Sequence, residues 1–155
     1  MAPHLPFVSP GQVVGILEIV EEYKGSVEAA RLAKDFDLRI DELLPVVEAA
    51  EMLDFAKVTD GLISLTPAGH KVLKGSTRQR KSIFKDQAIN TPIFSDVIAK
   101  MQASGGRMSR EALGEVLAFK LWTSDQETAL RLVIHWGRYA GILTYDADTH
   151  QVTLV

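Results

Sequence analysis

The run "KVLKGSTRQRKSIFK" at 71–85 holds six Lys or Arg residues and no carboxylate, in a chain of 155 residues whose formal net charge is −3. Carried on a helix, such a run can grip phosphate, lie as a solvated face, or form a socket for an acidic protein surface. The other chemistry-bearing side chains assemble into less. His4, His70, His135 and His150 are scattered, none paired at a spacing of three or four, and without any cysteine they make no metal set. Asp146 and Asp148 in "YDADTH" could begin a calcium loop, but the glycine at its sixth position and its closing glutamate are missing, which leaves a polar hairpin tip. Ser9, Ser109 and Ser124 stand where helices begin, so capping accounts for them, and no Gly-x-Ser-x-Gly elbow presents a nucleophile. Trp122, Trp136, Tyr139 and Tyr145 could stack on bases, yet Leu121, Ile134, Ile142 and Leu143 beside them favour packing. The residues imply no catalysis and no cofactor.

The elements that carry these residues can be read from caps and periodicity. Ser9-Pro10, Thr66-Pro67 and Thr91-Pro92 each place a capping hydroxyl before a proline suited to the first helical position. A capping box with Gln12 opens a helix from Pro10 to about Lys24, stopped by Gly25. Ser26 is expected to cap "VEAARLAKDF", and Asp41 to open "ELLPVVEAAEML". The period then changes to alternation, and Asp60-Gly61 in "FAKVTDGLISLT" predicts a hairpin with a type I′ turn. Three helices followed by a hairpin is the order of a winged helix.

The second half repeats that order. Thr91-Pro92 opens "IFSDVIAKMQAS", Ser109 caps "REALGEVLAFKL", Ser124 with Glu127 forms a capping box for "DQETALRLVIHWGRYA", and another hairpin follows. Leu53-Asp54-Phe55 lines up with Ala140-Gly141-Ile142, and 62–66 with 151–155, a period near 87 residues that indicates duplication of a small domain. The expected fold is mainly α with short β-hairpins: tandem winged-helix-like halves at 8–66 and 91–155, joined by helical segments at 67–90.

Winged helices often bind DNA through the third helix. Here the first such helix shows Asp41, Glu42, Glu48 and Glu51 to solvent with no basic residue, and the second begins Asp125, Gln126, Glu127, so close approach to phosphate is unfavourable. If 76–89 is helical, Arg78, Lys81 and Lys85 fall within about 60° of one another, with Arg80, Ile83, Phe84 and Gln87 turned away. Asp41, Glu48 and Glu51 form a matching acidic stripe, so both stripes are expected to meet protein: this chain, a homodimer mate, or an attached ATPase. No stretch reaches the roughly 18 apolar residues of a membrane span, and "MAPHLPFVSPGQ" lacks the charged start and long apolar run of a secretory signal.

Taken together, "VSPGQVVGILEIVEEYKG", "LLPVVEAAEMLDFAKV", "ISLTPAGHKVL", "RQRKSIFKDQAI" and "VIHWGRYAGILTYDADTHQVTL" resemble the AAA-associated C-terminal domain appended to the ATP-binding subunits of nitrate/sulfonate/bicarbonate-type ABC importers. The resemblance runs from about Val8 to Leu154, and Trp136-Gly137-Arg138-Tyr139 with the Asp-bearing hairpin is its most specific part. It implies a cytoplasmic accessory domain, held at the inner face of the membrane through a transporter complex and partnered by an ATP-binding domain or subunit. The phosphate loop of such a subunit is not in this sequence: Lys24-Gly25-Ser26 and Lys74-Gly75-Ser76 follow helices and lack the preceding glycine. The expected function is therefore a non-catalytic accessory and regulatory interaction domain. The alternative is a winged-helix DNA-binding transcriptional regulator.

Overall fold

The computed structural model describes residues 8–121 and 126–155. It is mainly α with short β-hairpins, as the sequence predicts. Packing divides the described chain into two units, 8–84 and 85–155.

The first unit begins with α1 (Pro10–Glu22), set by the expected capping box: Ser9 Oγ accepts from the Gln12 N–H at 3.2 Å, and Gln12 Oε1 accepts from the Ser9 N–H at 2.9 Å. Next come β1 (Ser26–Glu28), α2 (Ala29–Asp35), α3 (Ile40–Met52), the hairpin β2 (Ala56–Thr59) and β3 (Leu62–Leu65), then α4 (Pro67–Lys74). The hairpin turns as expected, with Asp60 at φ 52° and Gly61 at φ 81°, the left-handed pair that a type I′ turn requires. α1 packs on α3, α4 and β3, and α3 packs on α2 and β2. These contacts bury Val13, Leu17, Val20, Leu32, Leu43, Val47, Phe55, Ile63 and Val72. Phe84, from α5 (Thr77–Ala88), closes this core edge-on against Phe55 with ring centroids 4.9 Å apart.

Two expectations are corrected here. Ser26 does not cap a helix: Ser26–Glu28 is extended and pairs antiparallel with β3, Val27 facing Ile63, and α2 starts only at Ala29. Val27 is buried while Ser26 and Glu28 are exposed, so sheet alternation prevails over the helical period. The third helix opens at Ile40, one residue before Asp41, without a side-chain cap, and Asp41 sits in the first turn with Arg39 Nη2 2.8 Å from its carboxylate.

The second unit contains α6 (Pro92–Ala103), β4 (Arg107–Ser109), α7 (Arg110–Leu121), α8 (Gln126–Tyr139), and the hairpin β5 (Leu143–Asp146) and β6 (Gln151–Leu154). Its sheet order, β4-β6-β5, matches the β1-β3-β2 order of the first. Ser109 caps α7 as expected, accepting from the Ala112 N–H at 3.0 Å, whereas the Ser124 cap lies outside the described residues. Contrary to expectation, the Thr91 side chain does not cap α6: it is buried and turns its hydroxyl back to donate to the Ala88 carbonyl at 2.6 Å.

The duplication is written in backbone hydrogen bonds. Phe55 N–H donates to Ala50 at 2.9 Å where Ile142 donates to Gly137 at 2.8 Å; Leu65 to Gly25 matches Leu154 to Gly106; Ala29 to Gly61 matches Arg110 to His150. α3 and α8 are therefore equivalent elements, related by a shift of 87 residues (142 against 55, 137 against 50).

Candidate functional site

The basic run forms the end of α4 and most of α5. Thr66 caps α4 with its Oγ1 3.1 Å from the Gly69 N–H, and Ser76 and Gln79 make a reciprocal cap at the start of α5, at 3.2 and 2.8 Å. The Ser76 and Gln79 N–H groups are thus engaged by the chain's own side chains, and Lys74-Gly75-Ser76 lies in a helix-to-helix joint and not in a strand-to-helix phosphate cradle. Arg78, Lys81 and Lys85 are exposed along α5, while Arg80 turns inward and donates from Nε to the Val72 carbonyl at 3.1 Å. Lys71 and Lys74 line a groove of about 420 Å³ with Gln79, Ser82 and Ile83. The run therefore presents an exposed cationic stripe on α5 and, between α4 and α5, an open groove with a cationic rim and aliphatic Ile83 in its wall.

The acidic residues occupy the outward face of α3. Asp41, Glu48 and Glu51 are all exposed; Asp41 is engaged by Arg39, and Glu51 Oε2 receives the Val58 N–H at 3.4 Å. Sequence reasoning missed what lies among them. Ile40 and Leu44 are 45% and 44% exposed, and with Phe36 and Leu38 they make four large apolar residues left in water within nine positions. At about 100° per residue Ile40, Leu44 and the three carboxylates share an arc of about 100°. The available signal was the i, i+4 spacing of Ile40 and Leu44 on the carboxylate side of the helix.

The equivalent face of α8 has the opposite sign. Its exposed residues are Glu127, Thr128, Arg131, His135 and Arg138, and the positions that carry Glu48 and Glu51 in α3 carry His135 and Arg138 here. Glu127 does not make this face acidic, because Arg110 holds it through two hydrogen bonds of 2.6 and 3.1 Å and Arg131 adds a third at 3.2 Å. The hydrogen bonds from Arg110 first, and the positive charges of Arg110 and Arg131 with them, hold the Glu127 carboxyl below its usual range; the same hydrogen bonds and the negative charge of Glu127 push the Arg110 guanidinium up. Asp125 lies outside the described residues.

The remaining candidates are structural. Asp146 Oδ1 accepts from the Asp148 N–H at 2.9 Å and from Thr149 at 3.4 Å, a turn stabilised by its own aspartate. Trp136 is 3% exposed and Tyr139 and Tyr145 are half-buried, as packing residues are; Trp122 and His4 lie outside the described residues. His70 Nδ1 lies 3.2 Å from Glu21 Oε2, and His150 Nδ1 lies 3.2 Å from the Tyr145 hydroxyl. Among the described residues no helix is long and apolar enough to cross a membrane.

Two helix-and-sheet units of matching sheet order thus leave charged and apolar helix faces exposed to water. A family model described as the C-terminal AAA-associated domain matches residues 30–146. The chain belongs to that family, and the membership links it in an accessory role to an ATPase component. No curated protein and no solved structure matches the chain.

Proposed function

We propose that the chain is a non-catalytic docking and regulatory domain of the ATP-binding component of an ABC importer of the nitrate/sulfonate/bicarbonate type. In this reading it works in the cytoplasm at the inner face of the membrane, each half being a winged-helix-like unit used for protein contact. The observation that carries the reading is family membership, joined to a sequence without a phosphate loop. The surface that suits an ATPase partner is the exposed stripe of Arg78, Lys81 and Lys85, which would receive a carboxylate-bearing segment. Contacts of this kind steer and orient more than they stabilise.

The test is capture of the ATP-binding polypeptide to which the chain is fused or beside which it is encoded. Binding that is strong at low salt, and at least about tenfold weaker in the Arg78→Glu, Lys81→Glu, Lys85→Glu variant, supports the reading. Equal binding by the variant removes the stripe from the contact.

The alternative, a DNA-binding regulator, draws on one specific observation, the exposed Arg131, His135 and Arg138 of α8. A gel shift on random duplex at low salt tests it, because phosphate-driven binding appears there first. The carboxylates of α3 argue against it for the first half.

A further inference from the structure

We propose that the outward face of α3 is a docking surface for a second copy of this chain, received on the outward face of that copy's α8. The inference does not depend on the importer reading, since it concerns contacts of the chain with itself.

Three observations carry it. First, the α3 face is costly to leave in water: Ile40 and Leu44 are nearly half exposed along the N-terminal half of the face, and Phe36 and Leu38 adjoin it on the approach to the helix. Charge excludes a lipid surface as the occupant, because Glu48 and Glu51 flank Leu44 on the same face and would repel anionic headgroups. The occupant must offer cations with apolar surface beside them.

Second, the chain contains such a surface at the equivalent place. On α8 the exposed Arg131, His135 and Arg138 lie within about 60° of one another, and Leu132 and Tyr139, half-buried, edge the same face. Two equivalent helices, of 13 and 14 residues, thus present faces of similar reach and opposite charge. A duplicated unit starts with two identical faces, which repel or ignore one another; opposite net charge on the equivalent faces, with Glu51 matched by Arg138, makes α3 attract α8 and repel α3.

Third, the charges on the α8 side are positioned. Glu127 is held by Arg110 and by Arg131, which fixes Arg131 near the start of the face. The contact joins unlike surfaces, so it either grows into a chain or is closed by a two-fold axis in which each copy gives both faces.

The experiment is charge exchange with rescue, using the full chain. The mass of wild type in solution should rise with concentration up to about 200 µM and fall back to the monomer as salt goes from about 50 mM to about 500 mM. Glu48→Lys with Glu51→Lys makes both faces basic; Arg131→Glu with Arg138→Glu makes both acidic. Each double variant should be monomeric alone, and an equimolar mixture should regain the wild-type mass. Recovery also shows that both variants are folded. Should the mixture fail and circular dichroism show a charge variant to be unfolded, the uncharged variant Leu44→Ser decides: a folded Leu44→Ser chain that associates at least tenfold more weakly upholds the face, and one that associates like wild type removes it. The proposal is overturned if wild type stays monomeric throughout, if either charge variant associates like wild type, or if folded variants fail to rescue one another. It is equally overturned if Arg78→Glu, Lys81→Glu, Lys85→Glu, and not the α8 variant, abolishes association. If wild type is monomeric and Arg131→Glu with Arg138→Glu abolishes a shift of duplex DNA, the α8 face serves nucleic acid instead.

Discussion

Gly69, in the first turn of α4, has no room for a side chain: a Cβ built there meets the carbonyl oxygen of Phe55. The carbonyl belongs to backbone that accepts the Thr66 N–H at 3.1 Å, so it cannot yield without breaking the joint between hairpin and helix. Gly69→Ala should therefore lower stability by about 1–3 kcal/mol despite alanine's better helix propensity, read as a melting temperature several degrees lower. Glu127 gives a pH dependence with a definite sign. Arg110, through its hydrogen bonds first and its charge second, makes the folded chain bind this proton less readily than the unfolded chain. The stabilisation is present above the ordinary glutamate value of 4.5 and is lost as pH falls below it. Arg110→Gln should flatten the decline in melting temperature between about pH 5 and about pH 3, by a small amount because the pair is exposed. Local rules made much of this scale legible: Ser9 with Gln12 and Asp60-Gly61 behave as their sequence neighbours dictate. The close approach at Gly69 was not legible, because it is set by Phe55, fourteen positions away.

At the scale of elements, the basic stripe was legible and the rest of the surface was not. Arg78, Lys81 and Lys85 emerge together because helical periodicity alone places them, and Phe84 on the opposing side anchors α5 in the first core. Changing all three to Glu should leave the circular dichroism spectrum and melting temperature nearly unchanged, since exposed substitutions typically cost within about 0.5 kcal/mol each. β1 and β4 were missed because three residues carry no readable period and their pairing depends on β3 and β6, more than thirty residues downstream. Carboxylates at the start of α8 suggested an acidic second face; Arg110, from α7, takes up Glu127, and the exposed helix continues as Arg131, His135 and Arg138. A one-dimensional reading cannot see a neutralisation supplied by another helix.

Over the whole molecule, the order of elements could be read twice in the sequence, and the matched backbone hydrogen bonds of the two halves supply the register that sequence similarity left patchy. Register matters to function because it aligns α3 with α8 and shows that corresponding faces differ in charge. An accessory role linked to an ATPase follows from the family, and the proposed importer assignment makes the chain a docking module that leaves nucleotide chemistry to its partner. Adding Mg-ATP at about 1 mM should then produce neither hydrolysis nor a rise in melting temperature, since a ligand that binds only the folded state must stabilise it. Docking is tested by calorimetric titration of the chain into its cognate ATP-binding polypeptide at low and high salt. Saturable binding should appear, weaken with salt, and be lost in the Arg78→Glu, Lys81→Glu, Lys85→Glu variant. No heat of binding at low salt, with both proteins folded, would contradict it.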